Sequence, residues 1–160
     1  MRVTLRKWEI SDAAALAEVF QKTDRRRLSD ETPDNIWGAE AFIRNRADSS
    51  DIIRAIVFDE KIVGQIGVEK LDSTCAEIGY CLIAEYENRG IATEAVKQIC
   101  GLAFSELNVS RVQAKVFEDN IGSKRVLEKA GFSLEGVLEK SAVKSGKHVN
   151  EWLYAKLKEE

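Results

Sequence analysis

At 160 residues, 44% of them hydrophobic, the chain carries enough apolar material for one domain with a sizeable core. A net charge of −3 argues against nucleic acid or an anionic membrane as partner, and no apolar run approaches the roughly 20 residues that cross a bilayer. Met1 to Trp8 has no apolar signal core. Cys75, Cys81 and Cys100 are odd in number and lack metal-ligand spacing, so they read as reduced thiols of a cytoplasmic protein with no metal site.

Val3 to Trp8 reads as a first strand, and Ser11-Asp12 caps a helix whose apolar side carries Ala15, Leu16, Val19 and Phe20. Residues 23–35 are polar, hold the only proline, Pro33, and form a loop. Its basic run, Arg25-Arg26-Arg27, precedes Asp30, Glu31 and Asp34 and reads as a solvated helix end. Ile36 to Arg46 is a second helix, with Ile36, Trp37, Ala41 and Phe42 on one side. Ile52 to Phe58 and Ile62 to Leu71 are strands joined by a tight turn, with Gly64 and Gly67 at bends. Residues 75–83 alternate as a further strand. Ile91, Ala95, Val96, Ile99, Leu102, Ala103 and Leu107 then recur at helical spacing. Arg111 to Phe117 is a strand, residues 121–130 are a helix ended by Gly131, and a hairpin around Ser145-Gly146 closes the chain. The predicted order is β-α-α-β-β-β-α-β-α-β-β over residues 1–160. It describes one α/β (α+β) domain with a mixed, mostly antiparallel sheet flanked by helices.

The most informative stretch is Tyr86-Glu-Asn-Arg-Gly-Ile-Ala-Thr-Glu94, which joins a strand to a long helix through a small-residue turn. Free N–H groups at a helix start, with the positive end of its dipole, favour phosphate. Gly90 allows close approach, and Arg89 adds a positive charge. The plainer reading is that Gly90 ends a strand and Thr93 caps a helix. The stretch lacks the glycines and the Lys-Ser/Thr pair of a nucleotide-binding P-loop, and has only one glycine of the dinucleotide fingerprint.

Three blocks in register carry a family resemblance: Glu77-Ile78-Gly79-Tyr80 with Leu82-Ile83, then Asn88 to Ala95, then Asn120-Ile121-Gly122-Ser123 through Glu128-Lys129-Ala130-Gly131-Phe132. In these the chain resembles the GCN-five-related N-acetyltransferases, and among them the RimJ/RimL-type ribosomal-protein N-terminal acetyltransferases. The resemblance implies a sheet splayed between the 75–83 and 111–117 strands. It also implies transfer of an acetyl group from acetyl-coenzyme A, the cosubstrate, to an amine. Backbone groups of Leu82 and Ile83 would bind the pantetheine arm. Amides of Asn88, Arg89, Gly90, Ile91, Ala92 and Thr93 would hold the pyrophosphate. Asn120 would contact coenzyme A beside the thioester, with Ser123 near its sulfur.

Two positions depart from the family pattern. Glu87 stands where Gln or Arg is common, so phosphate binding falls to Asn88 onward. Leu127 stands where many members carry the tyrosine that protonates the leaving thiolate, which moves that role to Ser123 or water. Amide formation also needs a neutral amine and a stabilised oxyanion. Glu77 is the first choice of base, with Glu118 and Glu139 as alternatives; a cross-strand ion pair is the other reading of Glu77. Asn120 either contacts coenzyme A or caps the 121–130 helix, and Tyr80 either lines the amine pocket or packs in the core. Cys81 has no activating neighbour in sequence and reads as a packing or surface thiol. His148, the only histidine, sits in a turn context and reads as a surface residue.

The acceptor pocket is expected from the first two helices, the 23–35 loop and the last hairpin, which carry no motif. The acceptor is therefore an amine of open identity: a peptide N-terminus, a polyamine, an amino sugar or another small amine. The chain itself is expected to be a monomer or a homodimer. The alternative function is a non-catalytic acyl-coenzyme A sensor.

Overall fold

The computed structural model describes residues 2–47, 49 and 51–160. Its elements run β1 (Val3–Lys7), α1 (Ala13–Lys22), α2 (Ile36–Ala47), β2 (Ile52–Phe58), β3 (Lys61–Lys70), β4 (Cys75–Leu82), α3 (Ile91–Glu106), β5 (Arg111–Phe117), α4 (Ile121–Lys129), β6 (Ser133–Lys144) and β7 (Lys147–Leu157). This is the order read from the sequence. Among the described residues one sheet forms, in the order β1-β2-β3-β4-β5-β7-β6. Every neighbouring pair is antiparallel except β4 and β5, which run parallel because α3 carries the chain back across the sheet.

Alternation along the strands divides the core between the two faces. On one face Ile56, Ile66, Ala76, Ile78, Leu82 and Val112 pack against Ile91, Ala95, Val96 and Ile99 of α3 and Leu127 of α4. On the other, Ala55, Cys81 and Ile83 meet Leu16, Val19 and Phe20 of α1 and Ala39 and Ile43 of α2. Each such aliphatic side chain taken fully from water contributes about 1.5–3 kcal/mol. No described helix is long and apolar enough to cross a membrane.

Two local expectations are corrected. Asp12 does not cap α1: its carboxylate accepts the Glu9 N–H at 2.8 Å and pairs with Arg6 at 2.9 Å, ordering the 3-10 turn before the helix. On α2 the buried residues are Ala39 and Ile43, while Trp37 is 81% exposed, Ile36 53% exposed and Ala41 exposed. Positions 39 and 43 are a helical turn apart, so 37 and 41 fall on the face turned from the sheet.

Gly64 sits in β3 opposite Leu82, where β2 shifts register between Ile56 and Val57. A Cβ there would lie 2.5 Å from the Cys81 carbonyl oxygen and 2.7 Å from Leu82 Cδ2. Gly64→Ala is therefore expected to lower the unfolding free energy by about 1–3 kcal/mol, measured by urea denaturation. An unchanged midpoint would show that β3 and β4 separate freely at this point.

Candidate active site

The site begins where the sheet fails to close. β4 pairs with β5 only through Cys75, Ala76 and Glu77 against Arg111, Val112 and Gln113, and from Ile78 the strands part. Backbone groups alternate sides along a strand. The Ile83 N–H donates to the Val63 carbonyl at 2.8 Å on the β3 side, which turns the backbone groups of Tyr80 and Leu82 toward the opening. The Ile83 carbonyl meanwhile accepts from the Tyr86 N–H at 2.9 Å. Of the two residues expected to present backbone to a ligand, Leu82 is therefore free to do so. Ile83 is not, because its amide completes the β3–β4 pairing.

At the far end of β4 the chain turns into α3. Asn88 and Gly90 both adopt left-handed backbone, with φ of 61° and 79°, a conformation that glycine and asparagine tolerate best. Gly90 is the residue before the helix, no side chain caps it, and the first helical bond runs from the Glu94 N–H to the Gly90 carbonyl at 3.2 Å. The N–H groups of Ile91, Ala92 and Thr93 precede that first bond and have no intrahelical acceptor. Thr93 thus lies inside the first turn and is not the cap. The loop borders a cavity of about 210 Å³ that also meets Arg125 and Lys129 of α4. Arg89 is exposed, with its guanidinium carbon 5.2 Å from the Tyr86 ring centroid.

Glu87, the carboxylate out of place for a phosphate loop, is held by Arg27, whose Nη1 lies 2.8 Å from Glu87 Oε1. Arg27 belongs to the basic run read as a solvated helix end. Arg26 fits that reading, its side chain 84% exposed and paired with Asp24. Arg27, its side chain 35% exposed, instead borders three cavities, including the narrow channel beside Tyr80 and Ser123. A Cβ added to Gly122, at the start of α4, would lie 3.4 Å from Arg27 Nη1. Sequence reasoning passed over this residue, and the one available signal was Glu87 itself, an acid in need of a partner.

Asn120 and Ser123 meet at the start of α4, where the Asn120 side-chain oxygen accepts the Ser123 N–H at 3.1 Å. The capping reading of Asn120 is realised, and its amide nitrogen has no protein partner among the described residues. Across the opening, Tyr80 Oη lies 2.5 Å from Ser123 Oγ. Tyr80, Asn120 and Ser123 line a channel of about 80 Å³ with Leu82, Asn88 and Ala92. Leu127 is fully buried in the core.

Glu77 stands apart from this group. It is three residues before Tyr80 on an extended strand, about 10 Å away, and its Oε1 accepts from Gln113 Nε2 at 2.8 Å with Lys115 Nζ at 3.7 Å. It borders a cleft of about 460 Å³ on the α1/α2 face, built by Phe20 of α1, Phe42 and Arg46 of α2, and loop residues 27–29 and 31–33. The last hairpin, expected to wall the acceptor pocket, does not line this cleft; Glu151 borders one neighbouring cavity, and Lys144, Ser145 and Val149 another of about 370 Å³. Glu118 accepts from Asn150 Nδ2 at 3.2 Å near the hairpin, and Glu139 is exposed on β6. Burial pushes the Cys81 thiol up to about 11, so at neutral pH it is a protonated packing group.

Residues 2–133 match the acetyltransferase (GNAT) domain family. The chain belongs to this family. It is 31% identical to the uncharacterised N-acetyltransferase YnaD of Bacillus subtilis, over 99% of this chain and 95% of that one. It is also 31% identical to the putative ribosomal N-acetyltransferase YdaF of the same organism, over 99% and 92%. Its fold matches that of the microcin C7 self-immunity acetyltransferase MccE, a structure in complex with acetyl-CoA and AMP. That match has a TM-score of 0.86 and 24% identity, over 97% of this chain and 92% of that one. The protein is thus an acyltransferase of the N-acetyltransferase type.

The Arg27–Glu87 pair yields a test of the phosphate loop. Arg27→Ala leaves the Glu87 carboxylate uncompensated beside the amides, and coenzyme A affinity is expected to fall about fivefold, ~1 kcal/mol. Adding Glu87→Gln should restore most of it, as read by titration calorimetry. A double variant no better than Arg27→Ala would show that Arg27 acts on the ligand independently of Glu87.

Proposed function

We propose that the protein transfers an acetyl group from acetyl-coenzyme A to a primary amine by direct attack within a ternary complex. The observation that carries this reading is a series of cavities that share walls. The one at the 88–93 turn shares Leu82, Asn88 and Ala92 with the channel beside Tyr80, Asn120 and Ser123, which shares Arg27 and Tyr80 with the cleft across the sheet. The left-handed turn and its amides fit a pyrophosphate, with Asn88, Arg89, Gly90, Ile91, Ala92 and Thr93 as its cradle. Arg125 and Lys129 add positive charge on the facing helix. The backbone edge at Leu82 suits an extended arm carrying amides of its own, and the Asn120 amide nitrogen is placed to donate beside the thioester.

Bound acetyl-coenzyme A supplies the activated thioester. The chain's part is to hold it, strip a proton from the amine and manage charge at the sulfur. Ser123 donates a hydrogen bond, and then its proton, to the departing sulfur. Glu77 serves as base through intervening water, since its distance from Ser123 excludes direct contact with an amine at the thioester. The buried Cys81 thiol takes no part, so no acetylated enzyme forms. The acceptor cleft is lined by Glu31, Asp51, Glu69 and Glu77 against Arg27 and Arg46. That excess of acids suits an ammonium group, on a peptide N-terminus, a polyamine, an amino sugar or another small amine.

Saturating coenzyme A, at about 100 times its dissociation constant, is expected to add roughly 2.7 kcal/mol of stability. Gly90→Val should abolish most of that thermal shift, because a branched residue resists the left-handed backbone and blocks close approach. No shift in the parent protein would refute coenzyme A binding, while binding without turnover on any amine of a broad panel would favour the sensor.

Ser123→Ala is expected to lower kcat about 10- to 1,000-fold with coenzyme A affinity nearly unchanged. Initial rates should give intersecting double-reciprocal lines, with Cys81→Ala retaining most activity. Parallel lines and an acetyl group trapped on Cys81 would replace direct transfer by a covalent route.

A further inference from the structure

We propose that Tyr80 is the proton source behind Ser123, so that the leaving sulfur is protonated through a two-hydroxyl relay spanning the splayed strands. The inference rests on the transfer reading above, in which Ser123 faces the sulfur.

The geometry is specific. Tyr80 extends from β4 across the opening to the first turn of α4, its Oη 2.5 Å from Ser123 Oγ and 3.4 Å from the Ser123 carbonyl oxygen. Among the described residues the phenol has no other hydrogen-bond partner. Asn120 fixes the serine from behind by accepting its backbone N–H at 3.1 Å. Both hydroxyls border the narrow channel on one side and a cavity of about 260 Å³ between β4 and β5 on the other.

The chemistry needs such a pair. An alkyl alcohol is a weak acid, and a serine that gives its proton to sulfur must be resupplied within the same step. Ser123 passes its Oγ proton to the sulfur as the carbon–sulfur bond breaks, and takes the phenolic proton of Tyr80. Glu77 first takes the ammonium's extra proton through water and releases it to solvent; the tyrosinate left behind is reprotonated through water by the second proton, lost from nitrogen as the amide forms, so from the neutral amine onward one proton moves from nitrogen to sulfur. Burial pushes the Tyr80 phenol up to about 12, against which the Ser123 hydrogen bond and the positive charge of Arg27 pull. The phenol therefore stays protonated at working pH, and Arg27 favours the transient anion. Lys115 and Glu151 border the same cavity from the β5 and β7 side.

The test compares Tyr80→Phe, Ser123→Ala and the double variant with the parent, each checked for folding by its melting curve and for coenzyme A affinity by calorimetry. The relay requires both single variants to lose about 10- to 1,000-fold in kcat, with affinity within about twofold of the parent. The double variant should be no slower than the slower single, since the hydroxyls act as one unit. 3-Fluorotyrosine at position 80 adds readouts that a packing role would not move. Its 19F resonance should shift on coenzyme A binding and on Ser123→Ala. Its more acidic phenol should also bring the alkaline fall of kcat to lower pH. Parental kcat in Tyr80→Phe, losses that multiply in the double variant, or a 19F signal blind to Ser123→Ala would each overturn the relay. If Ser123→Ala is slow while Tyr80→Phe is not, the relay fails and the transfer reading stands. If the parent binds no coenzyme A, the transfer reading fails first and takes the relay with it.

Discussion

The site depends on one constraint: β4 and β5 share a parallel ladder for only three residue pairs. Parallel strands need a long crossover, here α3, and the turn that starts α3 must sit at the carboxyl end of β4. The same topology thus produces the unpaired backbone edge at Tyr80 and Leu82 and sets a free helix N-terminus at its end. Buried backbone groups without partners are costly in a closed sheet. Here the splay leaves them facing a channel.

A second device holds the opening in shape from outside. The segment around the 3-10 turn at Arg25–Arg27 is tied on both sides. Lys144 of the β6–β7 hairpin donates to the carbonyls of Arg25 and Leu28, and the Ser145 N–H donates to Asp30 at 3.0 Å. On the other side Arg27 grips Glu87 at the edge of the phosphate turn. Each contact is modest, since partly exposed ion pairs are worth about 0.2–1 kcal/mol. Joined through one short segment, they tie the hairpin to the edge of the 88–93 turn.

Part of the site reads straight from the chain. Gly90 announces a tight turn because it lacks a Cβ, and it stands where strand periodicity gives way to helical periodicity. Asn120 three residues before Ser123 announces a cap for the same kind of local reason. Ile83 did not read correctly, because which of two successive amides faces the gap depends on strand register, and register is set by partners distant in sequence. Trp37 did not either: its apolar character suggested burial, but α2 turns its Ala39 and Ile43 face to the sheet.

What the sequence by itself determined is what local chemistry and periodicity carry, the order of elements and the capped start of α4, together with the acetyltransferase family that its three blocks resemble. Only the tertiary structure decided which polar groups meet across the gap. Arg27 and Glu87 lie 60 positions apart, and Tyr80 and Ser123 lie 43 apart. No periodicity records such pairings, because they arise from the splay of two strands and the path of the segment around Arg25–Arg27. An arginine in a basic run and a tyrosine in a strand look ordinary until folding removes water from between them and their partners.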